Sequence, residues 1–168
     1  MIVIIIYLII SFLLDSIISL YIPASLTTLS YFKTIYTLVS LVVIFNYFEN
    51  SKKYLIIAII IGALFDTVYT NTFLLNIVIF IVVYFLLTEL DYIIPNNLFT
   101  INIKSLSALY TYHILTYIIL LLTHYNSYSF SILLNILMKS TIMTIIYTTI
   151  SYLLIKKIYW RHFDRKIK

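Results

Sequence analysis

Hydrophobic positions run almost unbroken along the chain in six stretches, separated by a handful of polar or helix-breaking residues. The stretches are Ile2–Ile22, Leu26–Phe48, Tyr54–Val68, Thr72–Leu90, Ser105–Thr123 and Phe130–Ile155. Most approach or exceed the roughly 20 apolar residues with which a helix crosses a hydrocarbon core about 30 Å thick. None shows the alternation of apolar and polar positions that a membrane strand requires. The pattern predicts an all-α, polytopic six-helix transmembrane bundle over residues 1–155, followed by a basic cytoplasmic tail, 156–168.

The breaks have physical causes. Pro23 ends the first stretch because it lacks an amide hydrogen and clashes with the preceding turn. The polar run Glu49–Asn50–Ser51–Lys52–Lys53 separates the second from the third, and His124–Ser129 the fifth from the sixth. The longest gap, Asp91–Lys104 with Pro95–Asn96–Asn97, is too polar to span and is expected to lie along the membrane interface. Residues 54–90 read as two helices joined at the weak break Thr67–Asn71, or as one helix and a re-entrant segment.

Composition sharpens the choice of solvent. The chain is 63% hydrophobic and 10% charged, against about half and about a quarter in soluble domains. The first apolar run has no basic residues before it and no small-residue cleavage site, so it reads as a membrane helix and not as a removable signal peptide. With no cysteine, thiolate metal sites and disulfides are excluded; with one glycine, Gly-rich phosphate loops and close helix packing of the GxxxG kind are too.

The net charge of +5 sits mostly between Lys156 and Lys168. Such a cluster suits anionic membrane lipids or an acidic partner at one face, and no nucleic-acid reading module accompanies it. With six spans, Lys52, Lys53, Lys104 and the tail all fall on the side of both termini. The excess of lysine and arginine there makes that side cytoplasmic.

Four ionisable residues interrupt the apolar stretches: Asp15, Lys33, Asp66 and Lys139. A charge at the bilayer centre costs at least about 2.5–3.5 kcal/mol, so such groups pair or line a cavity. Asp15 and Lys33 each lie about seven residues, roughly 10 Å, from the same membrane face, which suggests an ion pair across the first helical hairpin. Asp66 is expected either to pair with Lys139 or to cap the turn that follows it. A proton or ion pathway is the functional rival, but the remaining thickness offers mainly Ser, Thr and Tyr. The histidines His113, His124 and His162 are too scattered for the three or four convergent ligands of zinc. No hydroxyl sits in a nucleophile motif such as GxSxG. No cofactor, metal or catalytic residue is therefore expected.

The stretch Ile60–Leu87, IIGALFDTVYTNTFLLNIVIFIVVYFLL, resembles the rod shape-determining MreD family. Gly62, Asp66 and Asn76 carry the resemblance: a small residue, an acid closing the helix, and an amide opening the next. Read on their own, they suit close helix approach, turn capping and interhelical hydrogen bonding. The family usually has a glycine shortly before the Asn, where this chain has Leu74 and Leu75. Chain length, span number and basic tail look like the family too.

The resemblance implies a bundle similar to the S-components of energy-coupling-factor transporters. It also implies a non-enzymatic membrane scaffold that binds MreC, works with MreB, RodA and a penicillin-binding transpeptidase, and helps organise side-wall peptidoglycan synthesis and cell shape. The alternative is an S-component-like, vitamin-binding transporter subunit. The first helix, with serines but neither Ala nor Gly, lacks the small-residue docking face typical of such subunits.

Overall fold

The computed structural model describes residues 2–21, 34–48, 51–70, 72, 74–123 and 130–164. Among these there is no strand, and the elements are α1 (Ile2–Tyr21), α2 (Tyr36–Phe45), α3 (Ser51–Phe65), α4 (Leu75–Ile93), α5 (Leu98–Leu122) and α6 (Phe130–Asp164), with a π-helical turn, Asp66–Thr70, ending α3. Four helical segments are long and apolar enough to cross a membrane: Lys52–Thr70, Leu75–Ile93, Leu98–Leu122 and Phe130–Ile158. Continuous helix is the expected answer to apolar runs of this length, because in hydrocarbon each backbone polar group must find its partner within the protein.

The polarity of the molecule is inverted relative to a water-soluble domain. Ile5, Ile9, Ile60, Phe85, Ile142 and Leu154 stand more than 50% or nearly so exposed, while Ser40, Asn76, Lys104, Ser140, Thr144 and Thr148 are at most 1% exposed. Water would penalise the first group and hydrate the second. Lipid reverses both preferences, so this arrangement is that of a multi-pass membrane protein.

Among the described residues the six predicted stretches correspond to six helices, of which four are of spanning length. Within the described part of the second stretch, expected over Leu26–Phe48, the helix α2 has 10 residues and is about 15 Å long. It is also the most enclosed element: every residue from Tyr36 to Ile44 is buried. It lies against α1, α5 and α6. A short, fully buried helix needs neighbours on all sides, and α1, α5 and α6 provide them.

Small hydroxyl residues let α6 approach it. Ser140, Thr144, Thr148 and Ser151 form a buried stripe along α6, at spacings of four, four and three that place them on one face. Each threonine turns its hydroxyl back onto the helix, Thr144 to the carbonyl of Ser140 at 2.6 Å and Thr148 to that of Thr144 at 2.7 Å. Thr34, just before α2, meets the Thr144 hydroxyl at 3.0 Å. Serine and threonine thus do what glycine does in other membrane helices.

Two further boundaries differ from expectation. The gap 91–104 is not an interfacial loop: α4 continues through Ile93, α5 begins at Leu98, and only residues 94–97 connect them. Asn97 starts α5 by a reciprocal cap, its Oδ1 accepting from the Thr100 amide at 2.9 Å while its own amide donates to Thr100 Oγ1 at 2.9 Å. At the other end, α6 runs 35 residues without a break at Ile155, so Lys156, Lys157 and Arg161 ride on its continuation to Asp164.

Candidate functional site

Gly62, Asp66 and Asn76 meet in one joint between α3 and α4. An added Cβ on Gly62 would lie 2.8 Å from the Ile77 Cα and 3.1 Å from the Asn76 carbonyl oxygen. The two backbones therefore touch, and no side chain fits between them. One turn later α3 widens into the π-helical turn Asp66–Thr70. Thr67 and Thr70 hydroxyls occupy its loosened carbonyls, those of Ala63, Leu64 and Phe65.

The Asp66 carboxylate then closes the start of α4. Its Oδ1 accepts from the Asn76 amide at 3.0 Å, from Asn76 Nδ2 at 3.0 Å and from the Thr72 hydroxyl at 2.6 Å; its Oδ2 accepts from the Ile77 amide at 3.3 Å. A helix start leaves orphan amides and a partial positive charge, and a carboxylate answers both. Of the two roles expected for Asp66, the geometry shows the cap and not a pair with Lys139, which lies half-buried on α6. Leu74, immediately before α4, has φ 63°, the left-handed conformation that favours glycine. It stands where the MreD-like pattern usually has glycine close by.

Asn76 extends the joint to α5. Its Oδ1 accepts from the buried Tyr112 hydroxyl at 2.7 Å, and its Nδ2 also donates to Thr70 Oγ1 at 2.9 Å. Tyr69 extends it to α1, donating to the Phe12 carbonyl at 2.6 Å and sharing a hydrogen bond with Ser16. Phe12, Phe65 and Tyr69 stack edge-on or tilted around this contact, with ring centroids 4.6–5.8 Å apart. Four helices are thereby tied at one end of the bundle.

Asp15 repeats the device on the first hairpin. Its two oxygens accept from the amides of Tyr36 and Thr37 at 2.9 and 2.8 Å, and from the Thr37 hydroxyl. It caps α2 as Asp66 caps α4. The expected partner Lys33 lies outside the described residues.

Sequence reasoning missed Lys104. Counted as an interfacial charge, it is 1% exposed on α5 and donates to Asp91 Oδ1 at 2.7 Å and to Asn96 Oδ1. The signal was present in Asn97-x-x-Thr100, a helix start that moves Lys104 from loop to helix interior. Tyr112, Tyr69 and Thr72 carried no such signal, since tyrosines and threonines are spread over the whole chain. Among the described residues no three His, Asp or Glu side chains converge as a metal site would need.

Compared with protein-family models, curated proteins and solved structures, the chain matches none. The class that the fold defines is that of an all-helical, multi-pass membrane protein with a polar joint at one end.

Proposed function

We propose that the chain is a non-enzymatic membrane scaffold of the MreD kind, a component of the elongation machinery of a rod-shaped bacterium. In this reading it crosses the cell membrane six times with both termini cytoplasmic and binds an MreC-like single-span protein. It thereby helps place MreB, RodA and a penicillin-binding transpeptidase along the side wall.

One observation carries the reading. The three positions on which the resemblance rests, Gly62 and Asp66 one turn apart at the end of α3 and Asn76 at the start of α4, gather into a single joint, Gly62 by backbone contact and Asp66 with Asn76 by hydrogen bonds. Two further features agree with it. Asp66 and Asn76 turn their polar atoms onto neighbouring helices, as a rigid support requires. The outer faces of α1 and α3 present exposed isoleucine and leucine, Ile5, Ile9, Ile60 and Leu64 among them, to lipid or to a partner helix. The cytoplasmic placement of the termini rests on the distribution of lysine and arginine.

Co-purification from membranes in mild detergent is the direct test. An MreC-like single-span protein should be recovered with the intact chain and lost with Asp66→Ala. Recovery of a vitamin-sized ligand in native mass spectrometry, without that partner, would overturn the proposal in favour of a transporter subunit.

A further inference from the structure

A cavity of about 330 Å³ opens at the end of the bundle opposite the Asp66 joint. The last residues of α2, the first turn of α3, the last turns of α4 and the 94–97 connection enclose it. Its walls are of two kinds. Phe45, Phe48 and Tyr54 supply aromatic rings, Tyr54 lying at 4.8 Å from Phe45 and 5.7 Å from Phe48 between centroids. Asn46, Thr88 and Asp91 supply oxygen acceptors.

Those acceptors are incompletely used. Asn46 Oδ1 is enclosed and has no hydrogen-bond partner, a costly state for a buried polar atom. Rotation about the soft terminal torsion of an asparagine turns its oxygen toward the cavity it lines. Lys104 takes Asp91 Oδ1 and Asn96 Oδ1, leaving Asp91 Oδ2 without a partner among the described residues. The buried cation beside the cavity, Lys104, is thus already committed, and a donor entering the cavity meets open acceptors.

We infer that this cavity binds the primary ammonium of a phospholipid headgroup, that of phosphatidylethanolamine. Three N–H donors match the oxygens of Asn46, Thr88 and Asp91, and the aromatic faces attract a cation. The position suits a lipid. α3 begins and α4 ends here, with Lys53 exposed at the start of α3 and Tyr92 and Ile93 exposed at 91% and 71%. This is the headgroup level, where amphipathic rings and lysines gather, and Lys53 stands ready for the phosphate. A choline headgroup has the cation without the donors; a glycerol headgroup has hydroxyls without the cation. The inference does not depend on the scaffold proposal.

Native mass spectrometry of the full chain, released from micelles holding equal amounts of dioleoyl phosphatidylethanolamine, phosphatidylcholine and phosphatidylglycerol, tests it. The ethanolamine lipid should be retained about five-fold over each of the others, the size of one net hydrogen bond over the choline lipid and of an exposed cation–π contact over the glycerol lipid. Asn46→Leu and, separately, Thr88→Val should each lower that preference without lowering total bound lipid or thermal stability. Equal retention of the three lipids by the unaltered chain overturns the inference, as does preference for the choline or glycerol lipid. A preference untouched by both substitutions overturns it too, by placing the lipid elsewhere.

Discussion

Gly62 and Ile77 bring α3 and α4 into backbone contact, with only 2.8 Å between an ideal Cβ on the glycine and the Ile77 Cα. The obstacle is main chain, which cannot swing aside as a side chain would. Gly62→Ala should therefore lower stability despite its better helix propensity, by about 1–3 kcal/mol as for other overpacked cores. Thermal unfolding in detergent, with Leu64→Ala on the exposed face as control, measures it. An unchanged midpoint would show that the helices part at no cost.

Leu74 offers the opposite case. Its φ of 63° costs a leucine about 1–2 kcal/mol, part of which a glycine would give back through its greater freedom in the unfolded chain. Leu74→Gly is expected to stabilise the protein by up to about 1 kcal/mol. A raised unfolding midpoint is the predicted outcome; a lowered one would mean that the half-exposed leucine side chain matters more than its backbone.

Removing the Asp66 carboxylate should unpin α4. Asp66→Ala leaves the Asn76 and Ile77 amides without their acceptor and is expected to cost about 1–3 kcal/mol. Hydrogen exchange by mass spectrometry should quicken in peptides covering residues 74–78 and stay slow across the middle of α5. Asp66→Asn, which keeps one acceptor oxygen, should fall between.

For Asp15, the geometry makes a specific energetic claim. Its oxygens are engaged by α2, so a double-mutant cycle of Asp15→Ala and Thr37→Val should show coupling of about 0.5–3 kcal/mol. Independent, additive effects on unfolding would contradict the cap.

Lys104 ties α5 to the end of α4 from a buried position. Lys104→Met should cost about 1–3 kcal/mol through two lost charge-assisted hydrogen bonds, even though methionine suits an apolar helix better. If Lys104 were an interfacial charge, the same change would be neutral in a melting experiment.

How much of this was legible beforehand varies residue by residue. Asp66 could be picked out because an acid is rare and costly in an apolar helix, and Gly62 and Asn76 through the resemblance carried by Ile60–Leu87. Their partners could not. Tyr112 is 36 residues from Asn76, and nothing distinguishes it from the chain's other tyrosines until α5 is laid against α4. Likewise, charge balance drew attention to Asp15, but not to the amides of Tyr36 and Thr37, whose positive charge at the start of α2 its carboxylate meets.

The sequence by itself determined the apolar surroundings, the all-helical class and the limits of α3 and α4 to within about three residues. Those follow from local composition, because lipid accepts apolar side chains and refuses unpaired backbone wherever they occur. Only the tertiary structure decided that α2 is a short, enclosed element, that Lys104 lies inside, and which amides each aspartate serves. Such matters depend on which helices lie side by side, and packing between distant segments leaves no mark on the spacing within any one of them.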